Sequence, residues 1–337
     1  MTVPALLRVE NLVVGTRDES GAEVRLVDGV SFTVREGSVL CLVGESGSGK
    51  SLTMAAVLGL LPSGVEVLSG EVSYRGRDLL TMPEHELRGL RGSELAMVFQ
   101  DPMTALNPVK RVGAQIGRAV RLHGPRRSRA QVARRVEELL ASVGVPEPAE
   151  RARSYPHQWS GGMRQRAVIA MAIAHDPPLL VADEPTTALD VTIQAQIMAL
   201  LAEARRRTGA AMVLITHDLG LVAQTADEIC IMYAGRIVER GTMWEIFDEP
   251  RHPYTAGLLG SLLTTDRADG RAYAIPGSPP PPARRPAGCP FAPRCELPQK
   301  SERCTEERPT LRVIAGAHAS ACHHAESVGV FAREVGS

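Results

Sequence analysis

Residues 44–51, Gly44-Glu45-Ser46-Gly47-Ser48-Gly49-Lys50-Ser51, restrict the fold of this chain more than any other stretch. They follow the apolar run Val39-Leu40-Cys41-Leu42-Val43 and precede Leu52-Thr53-Met54-Ala55-Ala56-Val57-Leu58. A buried strand, a glycine-rich turn and a helix, in that order, make a phosphate-binding loop. The glycines let backbone N–H groups turn inward around phosphate oxygens, and the helix start adds positive charge. Gly44, Ser46, Gly47, Ser48, Gly49 and Leu52 then belong to the cradle. Lys50 reaches the β- and γ-phosphates, and the Ser51 hydroxyl holds Mg²⁺. Of the 38 basic residues only Lys50, Lys110 and Lys300 are lysine, yet the motif's basic position has one. An ammonium and a guanidinium are not interchangeable beside a phosphate, so chance explains that lysine poorly.

The apolar pattern predicts an α/β fold. Leu6–Val14 reads as a strand and 15–23 as a polar connection, with strands Val24–Val27 and Val30–Val34 about an Asp28-Gly29 turn. Glu71–Tyr74 and Leu95–Phe99 are short strands; Val112–Leu122, Arg129–Ser142 and Arg164–Ala174 carry helical patterns. Leu179–Ala182 has the fully apolar look of a buried parallel strand. Thr192–Arg206 is a helix with Ile193, Ile197, Leu200, Leu201 and Ala204 on one face; Ala211–Ile215 and Glu228–Tyr233 return to strand. Strands alternating with helices imply a mainly parallel sheet, interrupted by a helical insertion. Three parts are expected: a nucleotide-binding core with a β subdomain over 1–90 and 176–245, a helical subdomain over 91–175, and a tail over 246–337. Prolines crowd that tail, giving an extended segment with little capacity to bury a core.

Composition excludes several classes. A formal net charge of zero argues against a nucleic-acid or anionic-membrane binder driven by bulk charge. The longest apolar stretch, Met54 to Leu61, ends at Pro62 and is far short of the roughly 20 residues needed to span a bilayer. No N-terminal run resembles a signal peptide. The expectation is a soluble, cytosolic chain; any membrane role would need partner subunits.

Downstream, Asp183-Glu184 closes the apolar strand. Asp183 is placed to orient Mg²⁺ with Ser51, and Glu184 to polarise water for attack on the γ-phosphate. Between loop and carboxylates lies Trp159-Ser160-Gly161-Gly162-Met163-Arg164-Gln165-Arg166. Ser160 suits an N-cap, and the two glycines leave helix-start N–H groups open toward an anion. The order of glycine-rich loop, Gln100, Ser160-Gly161-Gly162, Asp183-Glu184, Ala188-Leu189-Asp190 and His217 resembles the nucleotide-binding domains of ABC transporters. The resemblance implies a P-loop NTPase (RecA-like) core with an antiparallel β subdomain, a helical subdomain and a small Pro/Cys-rich C-terminal domain. It also implies that two such domains meet head to tail, with ATP between one loop and the partner's Ser160-Gly161-Gly162. Gln100 would follow the γ-phosphate and Mg²⁺, His217 would contact the γ-phosphate, and Asp190 with its neighbours would link the two sites.

Phe99-Gln100-Asp101-Pro102-Met103-Thr104-Ala105-Leu106-Asn107-Pro108, Tyr155-Pro156-His157-Gln158, His252-Pro253-Tyr254-Thr255 and Ile275-Pro276-Gly277 narrow the resemblance to the oligopeptide/dipeptide (and nickel) permease ATPases. That family implies import of a solute delivered by an extracytoplasmic binding protein through two transmembrane permease subunits, driven by two ATPase subunits. The stretch after Gln100 would lie near the permease. A soluble ABC-type ATPase acting on nucleic acid or ribosomes is the alternative; no long coiled coil and no second cassette supports it. Two departures stand out. Trp159 replaces the commoner leucine, an apolar exchange that leaves phosphate contacts intact. Where such ATPases stack a ring on adenine, this chain has Gly15-Thr16, and its first aromatic is Phe32. Base selectivity is therefore expected to be loose, with Arg17 or Val24 as substitutes; the KM values for ATP and GTP measure this.

Cys41 and Cys230 lie in apolar strands as small buried hydrophobes. Cys289, Cys295, Cys304 and Cys322 crowd the last fifty residues, and disulfides are not expected beside cytosolic ATP. Four thiolates in a tail without much core suit a metal; zinc fits four ligands, with His323 and His324 as competitors for Cys322. The family resemblance implies a [4Fe–4S] cluster on the four cysteines; zinc and no metal remain open.

Overall fold

The computed structural model describes residues 4–187, 190–261 and 273–336. Its strands are β1 (Ala5–Arg17), β2 (Glu23–Arg35), β3 (Val39–Val43), β4 (Glu66–Tyr74), β5 (Arg77–Asp78) and β6 (Leu95–Val98). They continue as β7 (Leu179–Asp183), β8 (Ala211–Thr216), β9 (Glu228–Tyr233), β10 (Arg236–Gly241), β11 (Arg312–Ala315) and β12 (His318–Ser320). The chain divides into two compact units, one of residues 1–6, 34–38 and 81–214, the other of 7–33, 39–80 and 215–337.

In the second unit a four-stranded sheet runs β2-β1-β4-β5, with β4 antiparallel to both β1 and β5. This is the expected β subdomain. The Asp28-Gly29 turn predicted from sequence is not there: β2 passes straight through it. Asp28 is buried instead, its carboxylate 3.3 Å from Arg25, 3.1 Å from Arg308 and 3.8 Å from Arg236. A turn-forming residue type has been absorbed by ion pairing that a local pattern cannot show. The polar connection is correspondingly shorter, because β1 continues to Arg17.

The same unit holds β3, every residue of it buried, parallel to β9 with Leu40 opposite Glu228. After β9 the sheet turns antiparallel. Ala234 and Gly235, at φ 46° and 80°, make a two-residue hairpin turn of the kind that needs positive φ twice. A Cβ at Gly235 would lie 2.3 Å from the Leu26 carbonyl oxygen, so glycine is obligatory there. β10 pairs antiparallel with β9 and with β12, and β12 pairs with β11.

The tail therefore does bury a core, contrary to its proline content. Ala256, Leu297, Cys322, Ala325, Val328 and Phe331 pack together, and the helix Pro253–Gly260 is almost wholly buried. Cys322, Ala325, Val328 and Phe331 recur every third residue in one proline-free run, a pattern that the proline count of the tail overshadows. Cys41 and Cys230 are fully buried, and burial pushes both thiols up, as small hydrophobes should behave.

The first unit holds the parallel pair β6 and β7, with helices. β6 and β7 run in register from Leu95 opposite Leu179 to Val98 opposite Ala182. The helices Val112–Leu122 and Arg129–Ser142 match the sequence pattern; Ser128 closes the second with a capping box to Gln131. Two more span Gly161–Ala172 and Val191–Thr208. In the last, Ile197, Met198, Leu201 and Ala204 are buried, while Ile193 and Leu200 are half-buried.

Candidate nucleotide site

The phosphate loop lies where the sequence puts it, between β3 and a helix over Lys50–Val57 with Gly49 at its N-cap. Gly44 has φ 154°, and a Cβ there would stand 2.1 Å from the Met232 carbonyl oxygen, so the strand can approach β9 only without a side chain. Lys50 is buried, and its Nζ donates to the carbonyls of Gly44 (2.7 Å) and Glu45 (3.0 Å). The lysine thus holds the loop that it serves. Ser48 N–H donates to Glu45 O at 3.2 Å, and the Ser48 carbonyl accepts from Gly235 N–H at 2.9 Å. Among the described residues the buried Ser48 hydroxyl has no hydrogen-bond partner, which suits a phosphate oxygen as the missing one. Ser46 and Gly47 form an exposed rim, and Ser51 and Leu52 are half-buried in the first helical turn.

The stretch where the sequence places the base, Gly15-Thr16, carries no ring. At Gly15 a Cβ would lie 2.7 Å from both Leu68 Cδ1 and the Val24 carbonyl oxygen. No side chain fits at Gly15 itself, whereas Thr16 beside it already carries one. Arg17 is exposed and 3.5 Å from the Glu66 carboxylate.

Among the first unit's residues, Asp183 is buried at the end of β7 and Glu184 follows at φ 43°, a left-handed conformation uncommon outside glycine. The Glu184 Oε2 accepts from Gln100 Nε2 at 3.1 Å and from Thr187 Oγ1 at 2.8 Å. Two residues singled out 84 positions apart are thus in direct contact. Ser160 caps the helix Gly161–Ala172, its Oγ accepting from Met163 N–H at 3.4 Å. Ser160 and Gly161 are exposed; Gly162 is buried where a Cβ would meet Ile193 Cγ2 at 2.8 Å. Trp159 is 3% exposed, so the unusual residue of this segment anchors it from below. Asp190 caps the helix Val191–Thr208 by accepting from Ile193 N–H at 3.0 Å, whereas Ala188 and Leu189 lie outside the described residues.

In the second unit, His217 is exposed directly after β8 and before Asp218, which caps the helix Leu219–Thr225. Sequence reasoning gave no role to Glu45, Tyr254 or Arg294. Glu45 N–H donates to Tyr254 Oη at 2.8 Å, and the Glu45 carboxylate accepts from Arg294 Nη1 and Nη2 at 2.8 and 3.1 Å. A charged residue inside a motif otherwise built of Gly, Ser and Lys was the signal that could have pointed to them.

Cys289, Cys295, Cys304 and Cys322 line one cavity with His323 and His324. Burial pushes Cys289 up to about 11 and Cys322 to about 12, and raises Cys295. Against that, backbone N–H groups of Phe291 and Ala292 bond Cys289, that of Leu297 bonds Cys295, and that of His324 approaches the Cys322 sulfur at 3.4 Å. Such donors favour thiolate, and the soft sulfur set fits iron–sulfur or zinc. Among the described residues, however, no three His, Cys, Asp or Glu side chains are gathered closely enough to hold a metal ion. The cavity assembles the right donors without assembling a ligand geometry.

Loop, capped Ser-Gly-Gly helix and paired carboxylates define an ATP-binding cassette. Comparison with known proteins agrees. The ABC transporter family profile matches residues 27–187, and that of the oligopeptide/dipeptide transporter C-terminal region matches 238–304. The dipeptide transport ATP-binding protein DppD of Escherichia coli is 49% identical over 322 residues, 95% of this chain and 97% of that protein. Its Bacillus subtilis namesake is 46% identical over 318 residues, 94% of each chain. The oligopeptide transport ATP-binding protein OppD of Mycobacterium tuberculosis is 48% identical over 324 residues, 96% of this chain and 52% of that longer protein. Among solved structures, the dimeric ATP-binding cassette MJ0796 in a post-hydrolysis state with ADP and Pi superposes with a TM-score of 0.63 at 26% identity. That likeness covers 70% of this chain and 98% of the cassette. The chain belongs to the ABC transporter ATP-binding proteins, in the oligopeptide/dipeptide transporter family.

Proposed function

We propose that this chain hydrolyses ATP to power import of peptides, or related small solutes, through a membrane permease. Likeness along nearly the whole length to dipeptide transport ATP-binding proteins carries the reading, and the intact phosphate loop and Gln100–Glu184 contact support it. The loop residues and Lys50 hold the phosphates; Ser51, Asp183 and Gln100 hold Mg²⁺; Glu184 takes the proton of the attacking water; His217 steadies the γ-phosphate. Ser160, Gly161 and Gly162 close the site of a second ATPase subunit, identical or homologous, and Asp190 joins the two sites. The three-part division of the chain at 90, 175 and 245 belongs to the same proposal.

Among the described residues no helix is long and apolar enough to cross a membrane. Contact with the bilayer falls to two transmembrane permease subunits, which receive solute from an extracytoplasmic binding protein, with this chain peripheral on the cytoplasmic face. Phe99, Met103 and Val109, 45, 61 and 78% exposed, give the stretch after Gln100 an apolar surface suited to permease helices. Nucleic acid has no part in this reading. Co-purification with two multi-span membrane proteins, and peptide-stimulated ATP hydrolysis by that complex, tests it; a chain that purifies instead with ribosomes or DNA overturns it.

The four tail cysteines would hold a [4Fe–4S] cluster, with zinc as the alternative. Their convergence on one cavity with N–H donors at the sulfurs supports this. A cluster or zinc ion would tie together segments that are far apart in sequence. Anaerobically purified protein is expected to contain iron and acid-labile sulfide near four each per chain. Zinc without sulfide would reverse the order of the two, and the Cys304→Ser variant should lose the metal.

A further inference from the structure

Glu45 has no assigned role in phosphate binding, yet both its backbone and its side chain are tethered. Its carboxylate takes both terminal nitrogens of Arg294, a residue that is 7% exposed. Arg294 is itself fixed: its Nε donates to the Pro276 carbonyl at 2.7 Å, and its Nη1 reaches Tyr233 Oη at 3.3 Å. Tyr254 Oη accepts the Glu45 N–H, and burial keeps the Tyr254 phenol protonated. The Glu45 carbonyl, finally, accepts from Lys50 Nζ and from Ser48 N–H. Every polar group of Glu45 is thus engaged, two sides of it by residues more than 200 positions away.

We propose that Arg294 and Tyr254 are positioning residues that clamp Glu45, so that the C-terminal region sets the shape of the phosphate loop and with it nucleotide affinity. A bidentate guanidinium–carboxylate pair fixes orientation as well as distance, and with the Arg294 side chain buried and that of Glu45 25% exposed the pair is less screened than one on the surface. The peptide unit held at Glu45 carries the carbonyl on which Lys50 rests, so a displaced Glu45 moves the lysine that must meet the phosphates. Arg294 also neutralises a carboxylate that would otherwise face an incoming polyanion. It stands between Cys289 and Cys295, so one short segment serves both the thiol cavity and the loop.

The proposal rests on the nucleotide reading of the loop, and the experiment separates the two. The full-length chain is titrated with a fluorescent Mg·ATP analogue, and melting temperatures are recorded alongside. Arg294→Met is expected to weaken binding about tenfold, as loss of a charged hydrogen-bonded partner implies. Arg294→Lys, which keeps the charge and loses the fork, should recover part of it. Tyr254→Phe, which removes one oxygen from an intact ring, should weaken binding about threefold, and it decides the matter if Arg294→Met does not fold. Unchanged affinity in the folded variants, with only a lower melting temperature, overturns the clamp. If the wild type binds no Mg·ATP, or Lys50→Ala binds it equally well, the nucleotide reading fails and the clamp with it.

Discussion

Glu184→Gln is expected to lower ATP turnover by about 10²–10⁴-fold, the range for loss of a positioned general base. The amide keeps the size and planarity of the carboxylate but cannot accept the proton of an attacking water. Its oxygen can still take the Thr187 hydroxyl and Gln100 amide bonds that the carboxylate takes here, at 2.8 and 3.1 Å, so the local structure should stand. The positive φ of Glu184 is a backbone cost that glutamine bears equally. Mg·ATP affinity should therefore stay near wild type while ATP-bound dimers accumulate, visible as a doubled mass on gel filtration with Mg·ATP. Unaltered hydrolysis would remove Glu184 from the base role.

The second large effect concerns acid. His252 is buried at the N-terminus of the helix Pro253–Gly260, where its Nδ1 accepts from Tyr254 N–H at 3.1 Å. Burial lowers its pKa from 6.5 to about 3. The sign follows directly. Between those values the unfolded chain takes a proton that the folded chain refuses, so the contribution is complete above pH 6.5 and is lost as pH falls toward 3. The full shift corresponds to about 5 kcal/mol. His252→Asn keeps a good N-cap acceptor and removes the titration. Its stability should fall less steeply with acid than that of the wild type over that window, read by urea unfolding at successive pH values. Parallel pH profiles for the two proteins would show that His252 does not govern the acid limb.

What the sequence disclosed was local or ordered along the chain. The phosphate loop is legible because strand, glycines and helix are contiguous, and β7 because five buried residues in a row admit few alternatives. Val112–Leu122 and Arg129–Ser142 show their helical period from end to end. Asp28 misled because turn propensity is a statement about exposed residues, and its three arginine neighbours come from positions 25, 236 and 308. The tail misled for a related reason. Its proline content hid the three-residue spacing of Cys322, Ala325, Val328 and Phe331, and the residues these meet, Ala256 and Leu297, stand far from them along the chain. The Glu45 clamp was invisible for the same cause, since its partners stand 209 and 249 residues away.

The hairpin from β9 to β10 and the pairing of β10 with β12 mean that the sheet carrying the phosphate loop is completed by the far end of the polypeptide. A motor domain cut out at residue 245 would keep the phosphate loop, Gln100, Ser160-Gly161-Gly162, Asp183-Glu184 and His217. It would also lose its border: β10 would present a row of unpaired amides, and Glu239, now enclosed with His318 at 2.7 Å, would be left without that partner. During synthesis the same dependence sets an order. The nucleotide-binding sheet cannot close until the last strand has left the ribosome, and until then the chain carries an edge open to its neighbours.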